Sequence, residues 1–184
     1  MIPIGPLMWE HRLIEKMITL LEKECTTIKE SGTVNTHFIV TSVDFFQTYA
    51  DRTHHGKEED ILFQALSKKN LTAEHKKIME RLIADHAKAR AIVQALSAAN
   101  QRVIHSDLSA TQDIVTNIEK LVELYPPHIR VEDKDFFFPC MTYFSKGELQ
   151  HMLQAFWEFD SKMIHEKYTK LVQDLEGSKE PRKE

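Results

Sequence analysis

The stretch HHGKEEDILF, residues 54–63, carries the spacing around which the rest of the chain can be organised. His55 and Glu59 are four residues apart, so on an α-helix the imidazole and the carboxylate lie on one face, one turn above the other. Such a pair can bind one metal ion, or the carboxylate can bridge to a second ion. The spacing recurs at His128 and Glu132, and both copies run into an aromatic segment. Two copies predict a site built from opposite sides of one helical core.

Length, composition and charge restrict the class of protein. The chain has 184 residues, of which 42% are hydrophobic and 28% charged, and this is typical of one soluble globular domain. A net charge of -4 without a basic run argues against a nucleic-acid partner. No apolar run approaches the roughly 18 residues of a membrane span, and residues 1–6 do not have the pattern of a signal peptide. We therefore expect a cytoplasmic protein that binds neither nucleic acid nor a membrane.

Cysteine and glycine usage narrows the fold class. The two cysteines, Cys25 and Cys140, have no metal-type spacing and indicate neither a zinc site nor a disulfide framework. Only five glycines are present and turn clusters are few, whereas histidine is abundant at ten residues. This composition favours an all-α protein in a reducing compartment.

Apolar residues recur at three- and four-residue steps in five segments, which predicts five amphipathic helices. The first four would form an up-down antiparallel four-helix bundle, with its core over 6–140, and the fifth would be an additional C-terminal helix. Pro126 and Pro127 predict a kink or bulge directly before His128. We expect a single domain over 1–176 and a flexible tail over 177–184. The predicted helices span 6–30, 33–67, 72–100, 109–138 and 146–175.

Two residues near His55 have specific expected uses. Asp51 precedes His55 by one turn and could accept its second ring N–H, as outer-shell carboxylates do for ligand histidines. Gly56 costs about 1 kcal/mol relative to alanine inside a helix, so we expect close packing there.

The four core helices each place polar side chains on or beside their apolar faces. Unpaired, these groups would be costly in an apolar core, and two metal ions would satisfy all of them. Carboxylates and imidazoles suit iron or manganese, and the absence of thiolates makes a structural zinc site a poorer fit. The predicted metal ligands are His11, His55, Glu59, His86, His128 and Glu132.

Structural interpretations of the same residues remain open. Either His-Glu pair could be a surface pair of the kind that stabilises isolated helices, and His11 or His86 could be a buried histidine bonded to a backbone carbonyl. His54 points roughly 100° away from His55 on an α-helix, which places it at the surface or outside the ligand sphere. We likewise expect Glu58 to be solvated.

The residue set resembles the hemerythrin family in its HHE cation-binding branch. The resemblance covers about residues 6–140 and implies a di-iron centre in an up-down bundle. The segments that carry it are Glu10-His11-Arg12, residues 54–63, Asp85-His86 and residues 128–133.

The resemblance also implies a division of the ligands between two irons. Glu59 and Glu132 would be the bridging carboxylates. Oxygen carriers of the family use an aspartate five residues after the histidine, which here is Asp133; we favour Glu132 because it repeats the spacing of the other pair. By the same resemblance, His11 and His55 would serve one iron, and His86 and His128 the other.

The chain departs from the oxygen carriers at Arg90, where those proteins have a second histidine one turn after the ligand of the third helix. Two histidines per iron would leave more open coordination than reversible oxygen carriage needs. We therefore predict a non-haem di-iron protein that binds a small ligand such as dioxygen or nitric oxide in a sensing or binding role. The alternative is a di-iron enzyme for nitric-oxide or peroxide detoxification, or for repair of damaged iron centres. A scaffold whose site is vestigial or holds another metal is the third possibility.

Overall fold

The computed structural model describes the backbone of residues 2–177 and the side chains of residues 2–163. This part of the chain is helical and contains no strand, which confirms the all-α fold class. None of its helices has an apolar stretch long enough to cross a membrane. Of the predicted tail, residues 178–184 lie outside the described residues. The helices are α1 (Ile4–Ser31), α2 (36–66), α3 (Ala73–Ile104), α4 (111–141, preceded by a short 3-10 turn, Leu108–Ala110) and α5 (Lys146–Gly177).

Local sequence signals set several helix ends. Helix α1 stops at Gly32, whose φ of 71° is left-handed and whose N–H donates to the Ile28 carbonyl. The Thr72 hydroxyl caps α3 by accepting from the backbone N–H of His75 at 3.2 Å. Ser145 and Glu148 form a reciprocal capping box at the start of α5.

Each of the first four helices packs against two of the others: α1 and α3 both contact α2 and α4. Between α1 and α4, Lys29 pairs with Glu119 and Arg12 with Asp133, so the paired residues run in opposite chain order. This order is the one that antiparallel neighbours give. The complete up-and-down topology stays a prediction.

The core consists of two apolar clusters. The first includes Leu21, Phe46 and Leu96, and the second includes Leu7 and Phe136. Along each of the first four helices, buried histidine or glutamate side chains lie between the residues of the two clusters. The bundle therefore contains a polar layer enclosed by apolar packing above and below.

Helices α2 and α4 depart from α geometry close to this layer. Helix α2 is π-helical over Phe46–His55 and Glu58–Phe63, and α4 is π-helical over Glu132–Phe136. The i→i+5 bonding of a π-helix widens the turn and changes which residues face the core. The predicted bulge does not lie before His128, because α4 stays α-helical through Val131 and its π-helical turn follows at Glu132. The alternative, a kink at Pro126 and Pro127, stays a prediction.

Helix α5 packs against the π-helical segments of α2. A Cβ on Gly56 would lie 2.7 Å from the Phe159 Cζ, which is closer than side chains approach one another. The predicted close packing at Gly56 is confirmed, and the missing side chain lets α5 come close to the polar layer.

Candidate metal centre

Seven ionisable side chains of the described region meet in the polar layer, and each is at most 4% exposed. They form two groups, and within each group the candidate ligand atoms all lie within 4.8 Å of one another. The four-residue cluster contains His11, His54, Glu58 and Glu132. The three-histidine cluster contains His55, His86 and His128.

Glu58 reaches both groups. Its Oε1 lies 3.4 Å from His54 Nε2 in the four-residue cluster, and its Oε2 lies 3.4 Å from His86 Nε2 in the three-histidine cluster. One carboxylate oxygen therefore faces each group, as in a carboxylate that bridges two ions.

Glu132 repeats this arrangement from the opposite side of the bundle. Its Oε2 lies 3.2 Å from His11 Nε2, and its Oε1 lies 3.2 Å from His128 Nε2. Two glutamates from α2 and α4 thus link the two groups in parallel.

The inward-facing atoms provide a test of whether this residue set suits a metal. Buried polar atoms without partners are costly, and native proteins rarely retain them. A cation in each group would satisfy the unpartnered atoms, so the donor set fits two cations. Among the described side chains, the layer's buried atoms without a hydrogen-bond partner include His11 Nε2, His86 Nε2, His128 Nε2 and all four carboxylate oxygens of Glu58 and Glu132.

A carboxylate faces the other ring nitrogen of each imidazole. Because an ionised carboxylate only accepts, a hydrogen bond from Nδ1–H leaves Nε2 free to face the centre. Four of these contacts are hydrogen bonds: His11–Asp133 at 2.8 Å, His54–Glu10 at 2.9 Å, His55–Asp51 at 3.3 Å and His86–Glu59 at 2.7 Å. The fifth, between His128 and Asp85 at 3.9 Å, is longer than a hydrogen bond.

Each of these outer carboxylates is paired in turn with a cation. Arg90 bonds two of them, with Nε 2.7 Å from Asp51 and Nη2 2.8 Å from Glu59. The cation fixes the carboxylate, and the carboxylate fixes the ring. The remaining pairs are Arg12–Asp133, Lys57–Glu10, and Lys88 and Arg81 with Asp85.

Burial and nearby charges set the ionisation of Glu58 and Glu132, the two glutamates that face both groups. Burial raises the pKa of Glu58 to about 8, and repulsion from Glu132 acts in the same direction. Burial opposes ionisation of Glu132 as well, yet the surrounding imidazoles hold its pKa well below the usual range.

The imidazoles also fall into two sets, one with lowered and one with raised pKa. Burial lowers the pKa of His54 and His55 well below the usual value. Burial also opposes protonation of His11 and His86, but contacts with carboxylates raise the pKa of each to about 9. Metal ligation requires neutral imidazoles, so these residues would have to release protons to hold an ion.

Five of the six predicted ligands lie in the two clusters, and Glu59 does not. The Glu59 side chain is 26% exposed and bonds His86 Nδ1 and Arg90. Glu58 and His54 point inward, so the predictions of a solvated Glu58 and an outlying His54 are wrong. The inward carboxylate is thus Glu58, one residue before the predicted Glu59. The π-helical turns of α2 account for this difference, because they bring both His54 and His55 to the core.

The equal division of histidines is also not the arrangement observed, since one group has three imidazoles and the other two. Asp133 supports His11 from outside, whereas Glu132 occupies the position between the groups. The repeated letters HH and EE in residues 54–59 were the signal for a second pair at the same spacing, His54 and Glu58.

A surface pocket leads to the layer. A pocket of about 320 Å³ lies between α2, α3 and α4 and reaches the three-histidine cluster at His55. Its lining residues are Phe46, Gln47, Asp51, His55, Ala89, Arg90, Val93, Gln94 and Tyr125.

A helical bundle with a buried layer of histidine and glutamate, and without thiolates in that layer, defines a bundle-type cation site. The model of the hemerythrin HHE cation-binding domain matches residues 3–138, and the chain belongs to this family. Neither a curated protein nor a solved structure matches the chain significantly. Helix α5 begins at Lys146 and lies beyond the matched range.

Proposed function

We propose that the protein binds two iron ions in the polar layer and, through them, a small ligand such as dioxygen or nitric oxide, in a sensing or binding role. The observation that carries this proposal is the pair of glutamates whose four buried oxygens lack hydrogen-bond partners and face both clusters. Membership of a cation-binding family supports the same conclusion.

The donors available to each ion differ. The four-residue cluster offers two imidazoles and one oxygen from each glutamate, and the three-histidine cluster offers three imidazoles with the other two oxygens. An all-nitrogen and oxygen set without thiolate suits iron or manganese; we favour iron, with manganese and zinc as the poorer fits. Bound iron supplies diatomic-binding and redox chemistry.

The protein itself positions the histidine rings and shields the polar layer from water. The outer carboxylates hold each ring with Nε2 inward, and the apolar clusters on both sides exclude water from the layer. The pocket at His55 provides the route by which a small molecule approaches.

The pocket also favours a second candidate function. At about 320 Å³, with Gln47, Asp51 and Arg90 in its lining, it is larger and more polar than a diatomic molecule requires. This suits a di-iron enzyme that detoxifies peroxide, or one that repairs damaged iron centres. Nitric-oxide detoxification is the remaining alternative, and the size of the pocket does not distinguish it from diatomic binding.

Metal content and an optical spectrum of anaerobically purified protein test the proposal. We expect two irons per chain and new charge-transfer bands when air or nitric oxide is admitted. Steady consumption of peroxide or nitric oxide would favour the enzyme over the sensor. A protein that holds a single zinc, or no metal after reconstitution with ferrous iron, would overturn the di-iron proposal.

A further inference from the structure

Lys57 is a fully buried lysine that lies beside the metal layer. Its side chain is 0% exposed and contacts two carboxylates, Glu10 of α1 and Asp160 of α5, the second at 2.7 Å. A buried cation that loses a partner is strongly destabilised. The position of Lys57 therefore depends on α5 remaining in place.

Through Glu10, Lys57 is connected to the four-residue cluster. Glu10 Oε2 accepts a hydrogen bond from His54 Nδ1 at 2.9 Å, and His54 Nε2 lies 3.4 Å from Glu58. The continuous series His54–Glu10–Lys57–Asp160 thus leads from a candidate ligand to the C-terminal helix.

The other outer cations of the layer differ from Lys57 in their surroundings. The Arg12 side chain is 50% exposed, Arg90 40% and Lys88 64%. Each of them pairs with carboxylates of α1–α4. Among the cations described around the layer, Lys57 is the one that contacts α5.

Neighbouring contacts fix how α5 sits on α2. Phe159 lies against Gly56, where a Cβ would be only 2.7 Å away. The Lys57 ammonium also lies 5.9 Å from the centre of the Phe156 ring, which is fully buried. Asp160 therefore reaches Lys57 only when this stretch of α5 is docked.

We propose that α5 responds to the metal: docking of α5 through Asp160 and binding of the ion at the four-residue cluster stabilise each other. With α5 docked, Lys57 holds Glu10 against His54, and the ring keeps Nε2 toward the ion. With α5 undocked, Lys57 lacks one carboxylate and its apolar cover, so Glu10 and His54 lose their support. Glu10, Lys57 and Asp160 are positioning residues.

This coupling rests on the proposed function and gives the sensing role an output. Linkage is reciprocal, so an ion that binds the docked form more tightly also strengthens docking by the same factor. The occupancy of the centre is then reported by how firmly α5 is held, on a helix that lies outside the family match.

Anaerobic titration of the metal-free chain with ferrous iron tests the coupling. We expect Asp160→Asn to weaken the ion of the four-residue cluster about tenfold and to leave the ion of the three-histidine cluster unchanged. Glu158→Gln is the matched control, since it removes the same charge from an exposed position of α5 that bonds Gln154. Two ions of wild-type affinity in Asp160→Asn would overturn the inference.

Hydrogen exchange of the α5 amides over 150–163 supplies a second test, which needs only the wild-type chain if the variant does not fold. We expect slower exchange in the iron-loaded than in the metal-free protein, and a smaller difference in Asp160→Asn. Equal exchange in the two wild-type forms would overturn the inference while leaving two-iron binding intact. A wild-type chain that takes up no iron would refute the proposed function itself.

Discussion

On two sides of the polar layer, carboxylates paired with a cation support the histidines, but the two cations differ in their exposure to solvent. On the sealed side, formed by Glu10, Lys57 and Asp160, the cation is 0% exposed and Glu10 9%, whereas Asp160 is 34% exposed. On the open side, formed by Asp51, Glu59 and Arg90, both carboxylates are about a quarter exposed and the pocket reaches Arg90.

This difference in burial decides what each support does. Ion pairs in water contribute little to stability, whereas removing one partner of a buried pair is strongly destabilising. The sealed side should therefore contribute strongly to the stability of the fold, and the open side, at the approach to the centre, should contribute little. Substitutions on the two sides should give different kinds of defect.

The largest effect should come from a residue that both clusters share. Glu58→Gln removes a charge that faces both ions, so we expect iron content after anaerobic reconstitution to fall from two per chain to one or none. Glu59→Gln is the matched control one residue later and should retain both ions, because Glu59 lies outside the clusters. Loss of iron in the control and not in Glu58→Gln would reverse the ligand assignment.

The second-largest effect should be a difference in the free energy of unfolding between variants of the sealed side and of the open side, measured without metal. Lys57→Met leaves the buried Glu10 carboxylate and the partly exposed Asp160 without their cation, and should lower the free energy of unfolding by about 3–5 kcal/mol. Arg90→Met breaks half-exposed pairs and should cost about 0–1 kcal/mol. Denaturant unfolding of both variants measures the difference; equal losses would show that the two sides do not differ as their burial indicates.

A smaller loss of stability should follow from adding a side chain at Gly56, where α5 packs closely against α2. Gly56→Ala places a methyl group against Phe159, and the resulting strain should cost about 1–3 kcal/mol. The better helix propensity of alanine offsets about 1 kcal/mol of this. Thermal unfolding should show a net loss, and the added change Phe159→Ala should relieve it.

The control for this experiment is Gly147→Ala, also on a helix, where an added Cβ meets no atom within 4 Å. Equal destabilisation in the two alanine variants would mean that the Phe159 contact is not the cause.

The smallest effect on the fold should come from the open side. Arg90→His should leave the bundle intact and change the rate of nitric oxide binding by about tenfold or less, because Arg90 orients two carboxylates beside the pocket. Stopped-flow measurements would detect the change, with Arg130→His, at an exposed arginine of α4, as the control. Unchanged rates and spectra would show that position 90 has no influence on the centre.

Sequence patterns predicted the parts of this site that depend on regular geometry. His11 and His86 lie on α-helical segments where three- and four-residue periodicity locates the inward face. His128 precedes the π-helical segment of α4, so the same rule holds there. Caps and helix ends were predictable for the same reason, since their signals are local.

The parts that could not be predicted depend on packing between distant segments. His54 with Glu58 and His55 with Glu59 satisfy the same four-residue spacing, and only the wider turns from Phe46 onward select the inward carboxylate. Periodicity contains no signal for those turns. The contact of Lys57 with Asp160 joins residues more than a hundred positions apart, and no local pattern indicates it.

The polar layer between the two apolar clusters also has a consequence for the alignment of the helices. Four amphipathic helices with purely apolar faces can slide past one another by a turn at little cost, as coiled coils without a buried polar residue do. Here a slip of one turn would move Glu58 or Glu132 from its partners into hydrocarbon. The polar layer thus specifies one axial register of the helices in the bundle. A chain with apolar residues at all seven positions should gain stability and lose that single alignment.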